Sequence, residues 1–261
     1  MMRRILKVCL RRFVPISLVK TTNRTLRSLS AFGHHVQFII QWDSPKPPEW
    51  FDHFIDLYWK WNVTRNPMSW ERGIFGLMAM RPGCRVLDLC CGGGFFAHHF
   101  FASRAVKVVS VDFDAAGIRH AKTNFRAPNV EYHFADIRTH MPEGEFDNVA
   151  WDAAIEHFTE VEMDQILNNI KRRLTPNGIL SGYTIVAREH ESHEDHEHEF
   201  SSREELANLL RRYFGNVLVI STAYKDVFEE RDNLYFYASD GPVPFDEAWG
   251  GHLRMSSTSS S

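Results

Sequence analysis

Cysteine is scarce in this chain, long apolar runs are missing, and the first 42 residues contain no acidic side chain. The four cysteines (Cys9, Cys84, Cys90 and Cys91) show no paired metal-binding spacing, and a disulfide between the neighbours Cys90 and Cys91 would close a strained ring. Reduced thiols in a cytosol-like compartment are expected instead. No apolar run approaches the ~18 residues that a membrane-spanning helix needs. The missing acids leave eight Lys or Arg unbalanced in residues 1–42, so the rest of the chain is more acidic than its net charge of −3 discloses. An acidic body suits a cationic ligand and disfavours a nucleic-acid track, which needs a basic face for phosphates. With 261 residues, 44% of them hydrophobic, the chain has material for one large domain with appendages.

Residues 1 to about 20 interleave Ile5, Leu6, Val8, Leu10 and Phe13 with basic side chains. This reads as a short amphipathic helix that Pro15 interrupts. Such an arm suits an anionic membrane surface, a mitochondrial presequence, or an extension without a function of its own. The twin arginines lack the apolar stretch of a secretion signal. The expected setting is therefore cytoplasmic and membrane-peripheral, with the mitochondrial matrix as the alternative. Ser44-Pro-Lys-Pro-Pro48 is a helix-hostile linker. Behind it Trp50, Phe51, Phe54, Tyr58 and Trp61 recur at helical intervals, as a core stripe or, alternatively, as a lid over a site. The organisation read from these signals is a basic arm (1–42), an aromatic-rich helical segment (43–81), a main domain (82–240) and a flexible tail (241–261), whose end from Met255 to Ser261 is expected to be disordered.

From Pro82 onward, strands and helices alternate. Strands are expected at 85–89, 106–111, 130–134, 148–151 and 179–186, and helices at 95–103, 115–124, 161–174 and 202–213. Pro176-Asn-Gly178 supplies the turn before the fifth strand. Runs at 217–221 and 234–238 have no helix between them and should close the sheet edge as an antiparallel hairpin. The fold class is α/β: a doubly wound, mostly parallel, seven-stranded sheet with an antiparallel last strand.

Three acids stand at the ends of three successive strands. Arg85-Val-Leu-Asp-Leu-Cys-Cys-Gly-Gly-Gly94 sets Asp88 on a buried strand ahead of glycines and a helix start, where backbone can approach a ligand and amides lie unpaired. Asp112 follows 20 residues after Gly92, at the spacing of a carboxylate that binds ribose hydroxyls. Asp136 is placed to meet an adenine amino group, with the Ile137 amide available for a ring nitrogen. This series resembles the class I methyltransferases that depend on S-adenosylmethionine (SAM), over roughly Pro82 to Ser239. The resemblance implies that Asp88 holds the methionine amino group, directly or through water. It further implies that Gly92 and Gly94 line the cofactor, that Asp112 and Phe113 take ribose and adenine, and that Asp136 and Ile137 complete the adenine site. Cys90 replaces the family's first glycine and is expected to keep ordinary negative φ while still bordering the cofactor. Asp152, at the end of the fourth strand, joins the cofactor-binding set.

The same residues admit a rival. Gly92-Gly-Gly94-Phe-Phe-Ala97 also fits the fingerprint of an NAD(P)-dependent dehydrogenase, although Asp88 would set a negative charge beside the pyrophosphate. A membrane-associated protein that holds SAM without turnover is the alternative outside enzymes. On the acceptor side His157 is the candidate general base, with Glu156 beside it. Glu156-His157 also resembles the Glu-His pair with which ubiquinone-pathway O-methyltransferases help bind a divalent metal; Ala153 stands where those enzymes carry another acid, so a metal is not favoured. The loop 188–200 carries His190, His193, His196 and His198 among acids. It reads as a solvated charged loop, with zinc ligation or an acceptor pocket as alternatives. The expected acceptor is a small molecule or a glycan-type hydroxyl.

Overall fold

The computed structural model describes residues 15–42, 61, 65–187, 196–225 and 230–246. The expectations for residues 1–14, the linker at 44–48, the stripe from Trp50 to Tyr58, His190, His193 and the tail from Met255 lie outside these residues.

Seven strands form one sheet: β1 (Arg85–Leu89), β2 (Lys107–Asp112), β3 (Val130–Phe134), β4 (Phe146–Asp152), β5 (Leu174–Ile185), β6 (Asn216–Lys225) and β7 (Glu230–Ser239). Their spatial order is β3-β2-β1-β4-β5-β7-β6. The first five run parallel, and β7 lies antiparallel to both β5 and β6. The expected mostly parallel sheet with an antiparallel last strand is therefore present.

The burial of each strand follows its place. β1, β2 and β4 are covered on both faces, which is why their sequences are nearly continuous apolar runs. Leu87, Leu89, Val149 and Trp151 point to one layer, where they meet Met163, Ile166 and Ile170 of the helix Glu160–Arg173 and Leu206 and Leu210 of the helix Arg203–Arg211. Val86, Val108 and Ala150 point to the other, against Phe95 and Ala97 of the helix Phe95–His99 and Ile118 and Ala121 of the helix Ala115–Asn124. In chain order the helices are α1 (Ile16–Trp42), α2 (Met68–Met78), then these four as α3 (Phe95–His99), α4 (Ala115–Asn124), α5 (Glu160–Arg173) and α6 (Arg203–Arg211). Side-chain caps set several starts. Asp114 accepts from the amides of Ala116 and Gly117 at α4, and Thr159 and Glu162 form a capping box at α5.

Helix α1 begins immediately after Pro15, and the Val19 amide donates to the Pro15 carbonyl at 3.2 Å. Proline is harmless at a helix start because its missing N–H would be unpaired there anyway. Two local expectations need correction. The segment 95–103 is not one helix, since α3 stops at His99 and a 3₁₀ turn follows at Phe101–Ser103. Finally, Pro176-Asn-Gly178 lies inside β5 as a bulge. Leu174 pairs with Phe146 and Ile179 with Asn148, so the bulged strand carries extra residues between two ladder contacts.

The segment α2 is packed onto the sheet. Phe75 stacks on Tyr235 at 4.2 Å between centroids, and Tyr237 donates its hydroxyl hydrogen to the Phe75 carbonyl at 2.8 Å. Along α1, Leu18, Leu26, Leu29, Phe32 and Val36 share one face at helical spacing and are exposed, while Lys20, Arg24 and Arg27 occupy the opposite face.

Candidate active site

A cavity of about 630 Å³ opens at the carboxyl edge of the parallel strands. Its wall gathers Cys90 and Gly92 after β1, Asp112 and Phe113 at the end of β2, Asp136 and Ile137 after β3, and His157 after β4. Residues far apart in sequence meet here because each leaves the same edge of the sheet. A second cavity, of about 420 Å³, lies at the opposite edge around Cys84, Asp147 and Asn148 and contains none of the acids and glycines singled out from the sequence.

The turn after β1 is tied down from two sides. The Gly92 amide donates to Asp112 Oδ2 at 2.7 Å, and the Cys91 amide donates to the Val111 carbonyl at 3.0 Å. Asp112 Oδ1 accepts from the Asp114 amide at 2.8 Å. Burial raises the Asp112 carboxyl, while these amides pull it back down. Gly94 caps α3 with φ +81°, and a side chain there would press into the Tyr132 ring and Ala121. Gly94 thus serves the packing beneath the loop and is not part of the cavity wall.

Cys90 departs from expectation. Its φ is +57°, not negative, so the turn imposes the left-handed conformation even on a residue with a Cβ. Ala153, at the matching position after β4, has φ +51° and also borders the cavity. Left-handed non-glycine residues at two neighbouring strand ends are local strain concentrated at one site.

Asp88 lies behind the wall. It is 4% exposed and accepts a hydrogen bond from the Ser110 hydroxyl at 3.0 Å. Burial pushes its carboxyl up to about 8, with the nearby charges of Asp152 and Asp112 adding to the rise and Ser110 opposing it. Asp136 is engaged by its neighbour: Arg138 Nε and Nη2 grip both carboxylate oxygens at 2.7–3.1 Å and hold the carboxyl below its ordinary range. Sequence spacing gave no hint of this fork, and Arg138 itself borders the cavity. Ile137 is buried, whereas Phe113 stands 60% exposed at the rim.

Asp152 is not brought to the cavity wall. Arg72 of α2 binds its Oδ2 through Nε at 2.9 Å and Nη2 at 2.6 Å. The guanidinium is held between the rings of Phe96 and Tyr183, at 4.7 and 4.9 Å from their centroids. Arg72 escaped the sequence reading because its partner lies 80 residues away.

Glu156 and His157 sit in a 3₁₀ turn after β4, the first buried and the second exposed. Glu156 Oε2 is enclosed and has no hydrogen-bond partner. Burial raises this carboxyl, with the Glu156 amide, the His157 charge and the Thr184 hydroxyl acting against the rise. The His196 ring, from the segment after β5, lies 5.0 Å from that of His157. Three groups from two segments therefore converge beside the cavity.

The family model for a methyltransferase domain matches residues 86–178. An uncharacterized methyltransferase of Synechocystis is 35% identical over 106 residues, 40% of this chain and 48% of that protein. A cyclopropane-fatty-acyl-phospholipid synthase of Escherichia coli is 28% identical over 137 residues, 52% of this chain and 35% of that one. The chain spans about half the length of the first curated relatives it matches. Among solved structures, the N-methyltransferase NodS of Bradyrhizobium japonicum in complex with S-adenosyl-L-homocysteine shares the fold, with a TM-score of 0.53 and 16% identity over 68% of this chain and 91% of that one. The matched stretch runs from β1 into the bulge of β5 and contains every acid that the sequence places at a strand end, so this part of the chain is similar to a methyltransferase domain.

Proposed function

We propose that the chain transfers the methyl group of SAM to a hydroxyl of a small molecule or glycan-type acceptor. One observation carries the reading: Asp112, the Asp136-Ile137 pair and His157, from three different strand ends, wall a single cavity. In this reading adenine lies against Ile137 and Phe113, the ribose hydroxyls donate to Asp112, and the methionine end reaches the Cys90–Gly92 turn. Asp136 accepts from the adenine amino group if Arg138 yields one oxygen. Asp88 acts from beneath the turn, its ionised form favoured by the ligand's ammonium. The acceptor oxygen attacks the methyl carbon as the carbon–sulfur bond breaks, and its proton passes to His157.

Asp88 alone no longer separates this reading from a dehydrogenase, because a carboxyl kept protonated would not repel a pyrophosphate. The similarity of residues 86–178 to a methyltransferase domain supports methyl transfer over the dehydrogenase. Residues 82–240 form the catalytic unit in this proposal, with the segment before them as its cover. The exposed apolar stripe of α1, opposite three cations, supports a place for the arm on an anionic membrane surface. Incubation with labelled SAM and pooled hydroxylated acceptors tests the transfer. The expected result is S-adenosylhomocysteine formed only when an acceptor is present, at a rate at least about tenfold lower in Asp112→Ala. SAM binding without product from any acceptor would leave a binding protein in place of an enzyme.

A further inference from the structure

We propose that Glu156, His157 and His196 form a binding site for a divalent cation of the zinc type, beside the cavity's acceptor end. Each side chain offers one ligand atom, and these atoms lie within 4.8 Å of one another. Bonds of ~2.0–2.1 Å in a tetrahedral zinc site separate ligand atoms by about 3.4 Å, so side-chain rotations of roughly an ångström close the site. His157 is exposed and has the room to make such a move.

Two observations point to a cation and not merely to a polar cluster. The first is Glu156 itself, 4% exposed, with Oε2 enclosed and lacking a hydrogen-bond partner. A buried carboxylate oxygen without a donor is costly, and a cation removes that cost. The second is the support given to His196. Its Nδ1 lies 3.0 Å from Glu199 Oε1, which orients the ring so that Nε2 is the nitrogen that would ligate. A carboxylate holding the far nitrogen of a metal-bound imidazole is the common way in which such ligands are oriented. The backbone adds to this, since the Glu197 and His198 amides both donate to the Glu156 carbonyl, at 3.0 and 3.1 Å. The segment that brings His196 is thereby tied to the turn that holds Glu156 and His157.

His198 belongs to a different set, with Nε2 3.1 Å from Glu205 Oε1. Three protein ligands leave a fourth position open in a tetrahedral site, and one of the three, His157, borders the cavity. If the methyl-transfer reading holds, an acceptor hydroxyl bound at that position would be made more acidic by the cation and would lose its proton to solvent, with His157 ligating instead of serving as the base. Cation binding does not depend on that reading.

The test uses the full chain, stripped with a chelator and titrated with zinc against a chromophoric competitor. One equivalent should be taken up, weakened about tenfold or more by Glu156→Gln and by His196→Ala. Glu199→Gln should weaken uptake by about 10- to 100-fold, while His198→Ala leaves it unchanged. SAM affinity in the same variants verifies that each is folded. No stoichiometric uptake, or uptake that survives Glu156→Gln and His196→Ala and disappears only with His190→Ala and His193→Ala, overturns the site. Zinc uptake without product from any acceptor would remove the transfer reading and leave the cation site standing.

Discussion

At the scale of single residues, Asp88 couples protons to folding and, under the proposed function, to the ligand as well. An unfolded aspartate titrates near ~3.9, whereas the folded carboxyl is held at about 8 by burial. A raised value means that the folded state prefers the protonated acid. Its contribution to stability is thus complete below pH ~4 and is lost as the pH climbs toward 8. Thermal unfolding of the SAM-free protein should show this slope, and Asp88→Asn should flatten it. The ammonium of SAM favours the opposite, ionised form, so binding should expel a proton from the protein between pH 5 and 7. Affinity should then rise with pH, by at most about tenfold per unit. Calorimetry in two buffers of unequal ionisation heat measures the proton directly, and identical heats would remove Asp88 from the methionine end. The place of Asp88 on a buried strand ahead of glycines was legible in the sequence, because an apolar run ending in glycines announces a covered strand and its turn. Cys90 was misread for an equally physical reason. A side chain was taken to dictate its own φ, when the Gly92 and Cys91 amides, fixed to β2, dictate it instead.

At the scale of elements, strand periodicity carried the reading and helix–sheet partnerships escaped it. The central strands announce themselves because both of their faces are covered; that α2 would lock onto the sheet does not, since its ties join residues far apart in sequence, among them Arg72 between Phe96, Tyr183 and Asp152. The two side chains are only 10% and 16% exposed. Arg72→Leu should therefore strand the Asp152 carboxylate and cost about 3 kcal/mol, with much of it recovered in the pair Arg72→Leu with Asp152→Leu. Urea denaturation of the three variants checks this, and equal midpoints for wild type and Arg72→Leu would show the pair to be dispensable. Gly94→Ala makes the companion case. The new methyl would sit 2.7 Å from the Tyr132 ring and 2.8 Å from Ala121 Cβ at a φ of +81°. Overpacking and left-handed strain together should cost about 2–4 kcal/mol by the same measurement.

At the scale of the whole molecule, the arm and the body make opposite electrostatic demands. Among the described residues no helix is long and apolar enough to cross a membrane. Any lipid contact by α1 must therefore lie along the surface. The full chain should sediment with vesicles containing phosphatidylserine and lose that association when residues 1–42 are deleted or the salt is raised. Equal sedimentation with and without the arm would end the membrane reading. The sheet order carries a different consequence. β7 lies between β5 and β6 although it follows both in the chain, and it supplies the Tyr235 and Tyr237 rings against which α2 packs. During synthesis β5 and β6 leave the ribosome with a strand-wide gap between them, which cannot close until residues 230–239 have emerged. A nascent chain stalled before Glu230 would present two unpaired strand edges at once, and chaperone capture should peak in that interval and fall once β7 slots in.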